Sequence, residues 1–307
     1  MNHPASLINL VDRGSVGVWC PQLRTRDHET ARSIASALET LRYSAIWIPG
    51  GTGGPLFEHV TTALEATDVL PIATGVVNML MHTPEDTAQW FSQTRHRFGD
   101  RLVLGLGASH VARAQALGIA YRPMGATREY LRRLDNAVDP VPRQSRLLGA
   151  LGPEMLSLAK EQTAGAHTYL VNASHTRMAR KVLGDGVSLA PVVKVVDDVD
   201  RPDAIAVARH NVAAYLDILS YRHNILRMGF DEAELDHGGS DRLITELVAC
   251  NGYATLADRI RSHVEAGADH VCVQVIAADR KRIPWQAWQE IASLQTSFAS
   301  SHGHSSE

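Results

Sequence analysis

The sequence predicts a single (β/α)8 barrel, an α/β fold, and three observations predict it. Eight short apolar stretches, most of them without polar alternation, read as strands covered on both faces. Each is followed by a stretch with helical periodicity, which is the strand and helix count of a (β/α)8 barrel. The chain has 307 residues, 45% of them hydrophobic, enough for one barrel with a large core.

The first strand is placed at 15–20 (SVGVWC). A helix over 27–41 follows, with Ile34, Ala37, Leu38 and Leu41 as its apolar stripe. The second strand is 45–48 (AIWI), leading into PGGTGGP, a loop dense in turn formers, and a helix over 57–66. The third strand, 70–77, ends in Thr74-Gly75-Val76-Val77-Asn78. Thr83 as cap and Pro84 at the first helical position open the next helix, 84–98. The fourth strand, 102–106 (LVLGL), opens into Gly107-Ala108-Ser109-His110. Its glycines at 105 and 107 allow another backbone or a flat ligand to approach.

A helix over 126–138 precedes the fifth strand, 146–151, and Gly152-Pro153 starts the helix that runs through 161. The sixth strand is 167–171 with a helix over 174–183. The seventh strand is 187–196 with a long helix over 202–219. A less regular run, 220–239, reads as an insertion after strand seven. Helices over 241–248 and 255–266, the eighth strand 270–276 (HVCVQVI) and a helix over 285–294 complete the chain. One domain is expected over 1–298 and a disordered polar tail over 299–307, SSHGHSSE following Ala299. The competing doubly wound sheet needs a dinucleotide fingerprint. Gly105 and Gly107 lead to His110 where the third glycine belongs, and the glycines at 50–54 lack the spacing.

Lys and Arg number 30 against 33 Asp and Glu, for a net charge of −3, so no global basic field argues for nucleic acid or an anionic membrane. Arg177, Arg180 and Lys181 read as a solvated helix face. Cys20, Cys250 and Cys272 are too scattered for a disulfide framework, and no metal-ligand spacing occurs. Cys20 and Cys272 are expected as buried thiols. No apolar run approaches the ~18 residues of a membrane span. The start lacks a signal-peptide pattern, so a cytoplasmic location is expected.

Strand ends converge on one mouth in a barrel. Here they bring Trp19, Gly50, Gly75 to Asn78, Ser109, His110, Leu151, Gly152, Asn172, His175, Thr176 and Gln274. Few carboxylates are among them, which disfavours a two-carboxylate glycosidase and a hard-metal site. No GxSxG elbow is present either. Gly152-Pro153 and 172–176 start neighbouring helices, whose free N–H groups favour phosphate. Plain capping by Asn172 or Ser174 explains the second equally well. His110, at a glycine-rich strand end, is the candidate proton donor or acceptor, the alternative being a loop histidine bonded to backbone; His82 is the second candidate, the alternative being capping or packing of the next helix. Trp19 and Trp47 either wall an aromatic cofactor or pack the core. Small and apolar residues around the mouth point to an uncharged substrate of modest size.

Taken in order, GVW, AIWIPGGTGG, ATGVVN, LGLGASH, ALGPEML, GAHTYLVNASHTR, GGSDRL and GADHVCVQV resemble the luciferase-like flavin and deazaflavin barrel superfamily. The resemblance runs from about Gly14 to Trp288 and is strongest to the branch of oxidoreductases that use coenzyme F420. It implies a (β/α)8 barrel with an insertion after strand seven, a homodimer, and a small-molecule substrate. It also implies a deazaflavin at the mouth, backed by a bulge with a cis peptide that maps onto Gly75-Val76. Phosphate contacts map onto Leu151, Gly152, Asn172, His175 and Thr176. Sugar-phosphate dehydrogenases of the superfamily carry a histidine after strand two and a glutamate after strand four. Gly50 and His110 stand there instead, which speaks against a sugar phosphate.

The resulting expectation is hydride transfer between deazaflavin C5 and a carbonyl, imine or conjugated alkene. His110 would move the proton, with His82 or Asn78 orienting it. Trp19, Gly50, Gly75, Val76, Asn78 and Ser109 would hold the ring. Arg242 would hold an anionic group or form a helix-start salt bridge. The alternatives are an FMN-dependent monooxygenase on the same barrel and a non-catalytic flavin-binding barrel.

Overall fold

The computed structural model describes residues 15–51, 54–197, 202–279 and 281–299. Eight parallel strands form a closed ring: β1 Ser15–Trp19, β2 Ile46–Ile48, β3 Ile72–Thr74, β4 Leu102–Gly107, β5 Arg146–Gly149, β6 Gly165–Thr168, β7 Ser188–Val196 and β8 His270–Ile276. Neighbours pair in chain order, and β8 pairs with both β7 and β1, which closes the barrel. Two short segments extend the ring at the mouth, Val77–Asn78 beside β4 and Val248–Ala249 beside β7.

The helices are α1 His28–Thr40, α2 Leu56–Glu65, α3 Pro84–Phe98, α4 Val111–Ala116, α5 Pro123–Asp135, α6 Pro153–Gln162, α7 Ala173–Leu183, α8 Ala204–Leu216, α9 Leu219–Arg227, α10 Asp241–Leu247, α11 Tyr253–Glu265 and α12 Trp285–Ala299. The fold is the (β/α)8 barrel that the strand and helix count predicts. The Thr83 cap is present, with its Oγ1 accepting from Asp86 N at 3.1 Å.

Alternation along the strands divides the core in two. Val16, Val18, Leu189, Val193 and Val195 face the helices. Trp19, Trp47, Ala73, Val103, Leu147, Ala190, Val192 and Cys272 fill the barrel. At its centre Trp47 stacks on His167, with ring centroids 4.3 Å apart, and donates from Nε1 to His270 Nε2 at 3.0 Å. Cys20, Cys250 and Cys272 are free and buried. A third cluster lies over the ends of β6, β7 and β8, where Leu170, Val196 and Ile276 meet Val212, Ile225 and Ile244 of the post-β7 helices.

The structure departs from expectation at several boundaries. β3 stops at Thr74, because the chain bulges at Gly75-Val76 before pairing with β4 again at Val77. β5 ends at Gly149, two residues early. β6 starts at Gly165 rather than 167 and stops at Thr168; Leu170, with φ 58, turns the chain out of the sheet. The helix expected over 202–219 spans only Ala204–Leu216, and α9 starts at Leu219 after the extended backbone of Ile218. The irregular run over 220–239 contains α9 and a 3-10 turn, Glu232–Gly238. The helix expected over 126–138 starts earlier, with Pro123 at its first turn, and α4 was not anticipated. The expected tail begins inside α12, which runs through Ala299, and 300–307 lies outside the described residues, as do 52–53 of the glycine-rich loop.

Candidate functional site

The bulge after β3 organises the mouth. Gly75-Val76 is a cis peptide, at the position the resemblance implies. Gly75 N donates to Ile48 O at 2.8 Å, and Trp19 Nε1 donates to Gly75 O at 3.2 Å. Thr74 Oγ1 donates to Gly105 O at 2.7 Å, so the bulge is tied to both neighbouring strands.

The glycines around it are steric necessities. A Cβ on Gly50 would overlap Val76 O, one on Gly105 would overlap Thr74 O, and one on Gly107 would overlap Val76 Cγ2. Gly105 and Gly107 therefore admit a neighbouring backbone and the Val76 side chain. Gly75 itself faces inward. A Cβ there would lie 2.8 Å from Trp19 Nε1 and 3.2 Å from His167 Nε2. His167 Nδ1 donates to Ala190 O at 2.9 Å, so Nε2 is a bare acceptor, buried and without a hydrogen bond. Burial pushes the His167 pKa down to about 4.

At the end of β4, Ser109 takes a left-handed backbone, φ 62, and His110 opens α4. Ser109 Oγ and His110 Nδ1 are buried with no hydrogen-bond partner. Buried polar groups normally have one, so both stand out as unsatisfied among the described residues. Burial, and then the nearby Arg113, hold the His110 pKa below the usual histidine range. Its ring lies 5.9 Å from that of Tyr221. Asn78 Oδ1 accepts from Leu80 N at 3.0 Å, which shapes the turn after the bulge. His82 stands apart: its ring packs on Phe57 at 4.5 Å, and Phe57 stacks on Trp90 at 4.0 Å. The structure shows no contact between His82 and His110.

The ends of β5 and β6 come together. His175 Nε2 donates to Leu151 O at 2.8 Å, leaving His175 Nδ1 buried and unbonded. Asn172 caps α7, its Oδ1 accepting from His175 N at 3.1 Å, and its Nδ2 reaches Glu246 at 3.2 Å. Thr176 Oγ1 bonds His263 Nδ1 at 2.8 Å. So capping by Asn172 is real, and Thr176 is committed to the fold. Beside Gly152, at the start of α6, stands a residue that sequence reading missed. The Arg227 guanidinium lies 3.5 Å from where a Gly152 Cβ would be. It is close enough to lower the His175 pKa, although burial contributes most to that shift. Arg227 comes from α9, and nothing in its local sequence points to the mouth.

Arg242 is not at this site. Its guanidinium is paired with Glu234, with Nε 2.6 Å from Oε1, and lies over the Phe230 ring. The arrangement is the exposed helix-start ion pair, at 61% side-chain exposure.

The mouth is also less apolar than expected. Tyr169, just past β6, Lys194 on β7 and Gln274 on β8 line its floor, next to Trp19, whose ring centroid is 5.4 Å from that of Tyr169. Tyr215 and Tyr221, from α8 and α9, close over them. Only Gln274 was picked from sequence. Lys194 interrupts an otherwise apolar strand, PVVKVV, on the inward alternation of Ala190 and Val192, and that was its signal.

No family model matches the sequence. Solved structures do share the fold. An F420-dependent secondary alcohol dehydrogenase, determined with an F420–acetone adduct, aligns over 92% of this chain and 98% of its own, at 16% identity and TM-score 0.71. A coenzyme F420-dependent tetrahydromethanopterin reductase from Methanopyrus kandleri aligns over 91% and 97%, at 17% and 0.65. The FMN-bound oxygenating constituent of 3,6-diketocamphane monooxygenase, from the CAM plasmid of Pseudomonas putida, aligns over 86% and 91%, at 12% and 0.62.

Proposed function

We infer that this protein is a hydride-transferring oxidoreductase that uses the deazaflavin coenzyme F420 on a small organic substrate. One observation carries the reading. The glycine-backed bulge, Gly75-Val76, lies beside the end of β4, where Ser109 and His110 carry buried polar atoms with no partner among the described residues. That is a flat-ligand seat with a proton-transfer group at its edge. A bound deazaflavin supplies a hydride donor or acceptor at C5.

The chain's own residues do the rest. Gly75 and Val76 back the ring, and Trp19 fixes the bulge from behind. His110 holds or moves the accompanying proton at Nδ1. The first turns of α6 and α7, with Arg227, offer backbone N–H groups and a guanidinium to the cofactor phosphate. Tyr215 and Tyr221 limit water at the floor. The likeness to F420-using proteins, at TM-scores of 0.71 and 0.65, supports the deazaflavin reading.

The test is a titration of the purified protein with coenzyme F420 and, separately, with FMN, followed by absorbance and fluorescence. Tighter binding of F420 is expected. Preference for FMN moves the protein to the monooxygenase reading and calls for an oxygen-uptake assay. Binding of neither leaves only the barrel.

A further inference from the structure

Lys194 is a buried ammonium without a counter-ion. It is 1% exposed, on the last inward-facing turn of β7 before Val196. Its Nζ donates to Asn211 Oδ1 at 2.8 Å and lies over the Tyr169 and Tyr215 rings, 4.4 and 4.9 Å from their centroids. No carboxylate pairs with it among the described residues. Aromatic faces and one amide oxygen compensate a buried cation only in part. The two other ammonium protons have no hydrogen-bond acceptor among the described residues.

Gln274 is its cross-strand neighbour, in direct register on β8. Adjacent strands are about 4.8 Å apart, and the two side chains share the inward face. The Tyr169 hydroxyl donates to Gln274 Oε1 at 2.8 Å. That bond fixes the amide and leaves Nε2 as a donor with no partner among the described residues. Two donors, one of them charged, thus stand side by side at the floor of the mouth, across from the bulge.

We propose that Lys194 and Gln274 form a seat for an anionic oxygen, so that the substrate of this enzyme carries a carboxylate. The proposal deepens the oxidoreductase reading and rests on it for the identity of the cavity. It replaces the uncharged substrate expected from the sequence, which overlooked Lys194.

Burial alone pushes the Lys194 pKa down to about 7, with no charged group contributing. The titratable groups in contact with it are the phenols of Tyr169 and Tyr215. An anion in the seat favours the ammonium and raises that pKa. Carboxylate binding therefore takes up a proton above pH 7, and affinity falls about tenfold per pH unit there.

The experiment uses matched probes, benzoate with benzamide and cinnamate with cinnamamide. Each is titrated calorimetrically into the protein loaded with whichever cofactor it binds, and into the cofactor-free protein. Carboxylates are expected to bind tighter than amides by a factor on the order of 30. The preference should vanish in Lys194→Met, which removes the cation. It should vanish equally in Gln274→Glu, which neutralises Lys194 in place and keeps the Tyr169 bond. Equal binding of acids and amides, no binding of either, or a preference that survives in both variants overturns the seat. Cofactor affinity is read in the same titrations. A cofactor that binds without any carboxylate preference sinks the seat alone, and failure to bind either cofactor sinks the oxidoreductase reading.

Discussion

Val76 and Gly107 share one volume: the Val76 Cγ2 methyl occupies the space that a β-carbon on Gly107 would fill. The bulge and the fourth strand are therefore matched by size. Gly107→Ala should cost about 1–3 kcal/mol by overpacking and weaken cofactor binding, because the bulge must shift. Val76→Ala in the same chain should restore most of both losses. Gly105→Ala should not be rescued, because its β-carbon meets the Thr74 carbonyl rather than a side chain. Thermal denaturation and cofactor titration of the five variants, three single and two double with Val76→Ala, make the two cycles. Equal behaviour of Gly105→Ala and Gly107→Ala in the Val76→Ala background would refute the size match.

A second prediction concerns acid. Trp47 Nε1 donates to His270 Nε2, so that nitrogen must stay unprotonated. Burial, and then His167, push the His270 pKa down to about 3, and burial pushes that of His167 to about 4. Unfolded histidine titrates near 6.5. The folded values are depressed, so the unfolded chain binds more protons below pH 6.5. Stability from these two groups is complete above pH 6.5 and is lost as pH falls toward 4 and then 3. The slope is roughly 1.4 kcal/mol per histidine per pH unit. Urea midpoints between pH 7.5 and 4.5 measure it. A flat profile over that range would show that the two rings are protonated in the fold.

These interior histidines show what the sequence did and did not disclose. The barrel was legible because strands such as 270–276 and helices such as 84–98 carry both their periodicity and their end signals locally, and the structure reproduces both spans. His110, Gly75, Gly152 and His175 were legible as strand-end residues. Lys194 was marked only by its interruption of an apolar strand, and Tyr169 not at all, since it lies past the end of β6 where strand alternation no longer sets direction. Arg227 and Tyr221 were not, because α9 reaches the mouth only through tertiary packing against β6–β8. For His82 the sequence offers two readings, the mouth or packing against the next helix, and the structure takes the second: its ring packs on Phe57, which stacks on Trp90.

His110 is expected to govern turnover without governing cofactor affinity. His110→Ala should lower kcat by about 10²–10⁴, with the cofactor Kd nearly unchanged. Its pKa lies below the usual histidine value, through burial and Arg113. In the reductive direction the protonated ring is needed, so the rate falls as pH rises through that pKa. In the oxidative direction the neutral ring is needed, and the rate climbs to a plateau above it. Both inflections should disappear in His110→Ala. Full activity in the variant would remove the assignment and leave the fold untouched.

Arg227 and Arg242 offer the sharpest contrast at the cofactor's anionic end. Arg227 stands over Gly152 and beside His175, at two helix N-termini, and has no carboxylate partner among the described residues. Arg242 is occupied by Glu234. Arg227→Gln should raise the cofactor Kd on the order of tenfold at low salt, with the difference narrowing as salt screens the exposed guanidinium. Arg242→Gln should leave cofactor affinity unchanged. Neither should move the melting temperature by more than about 2 °C, since exposed charges contribute little to stability. The reverse pattern, with Arg242 controlling affinity, would mean that the anionic end of the cofactor runs toward α10 and that the Gly152–His175 corner is only a pair of capped helices.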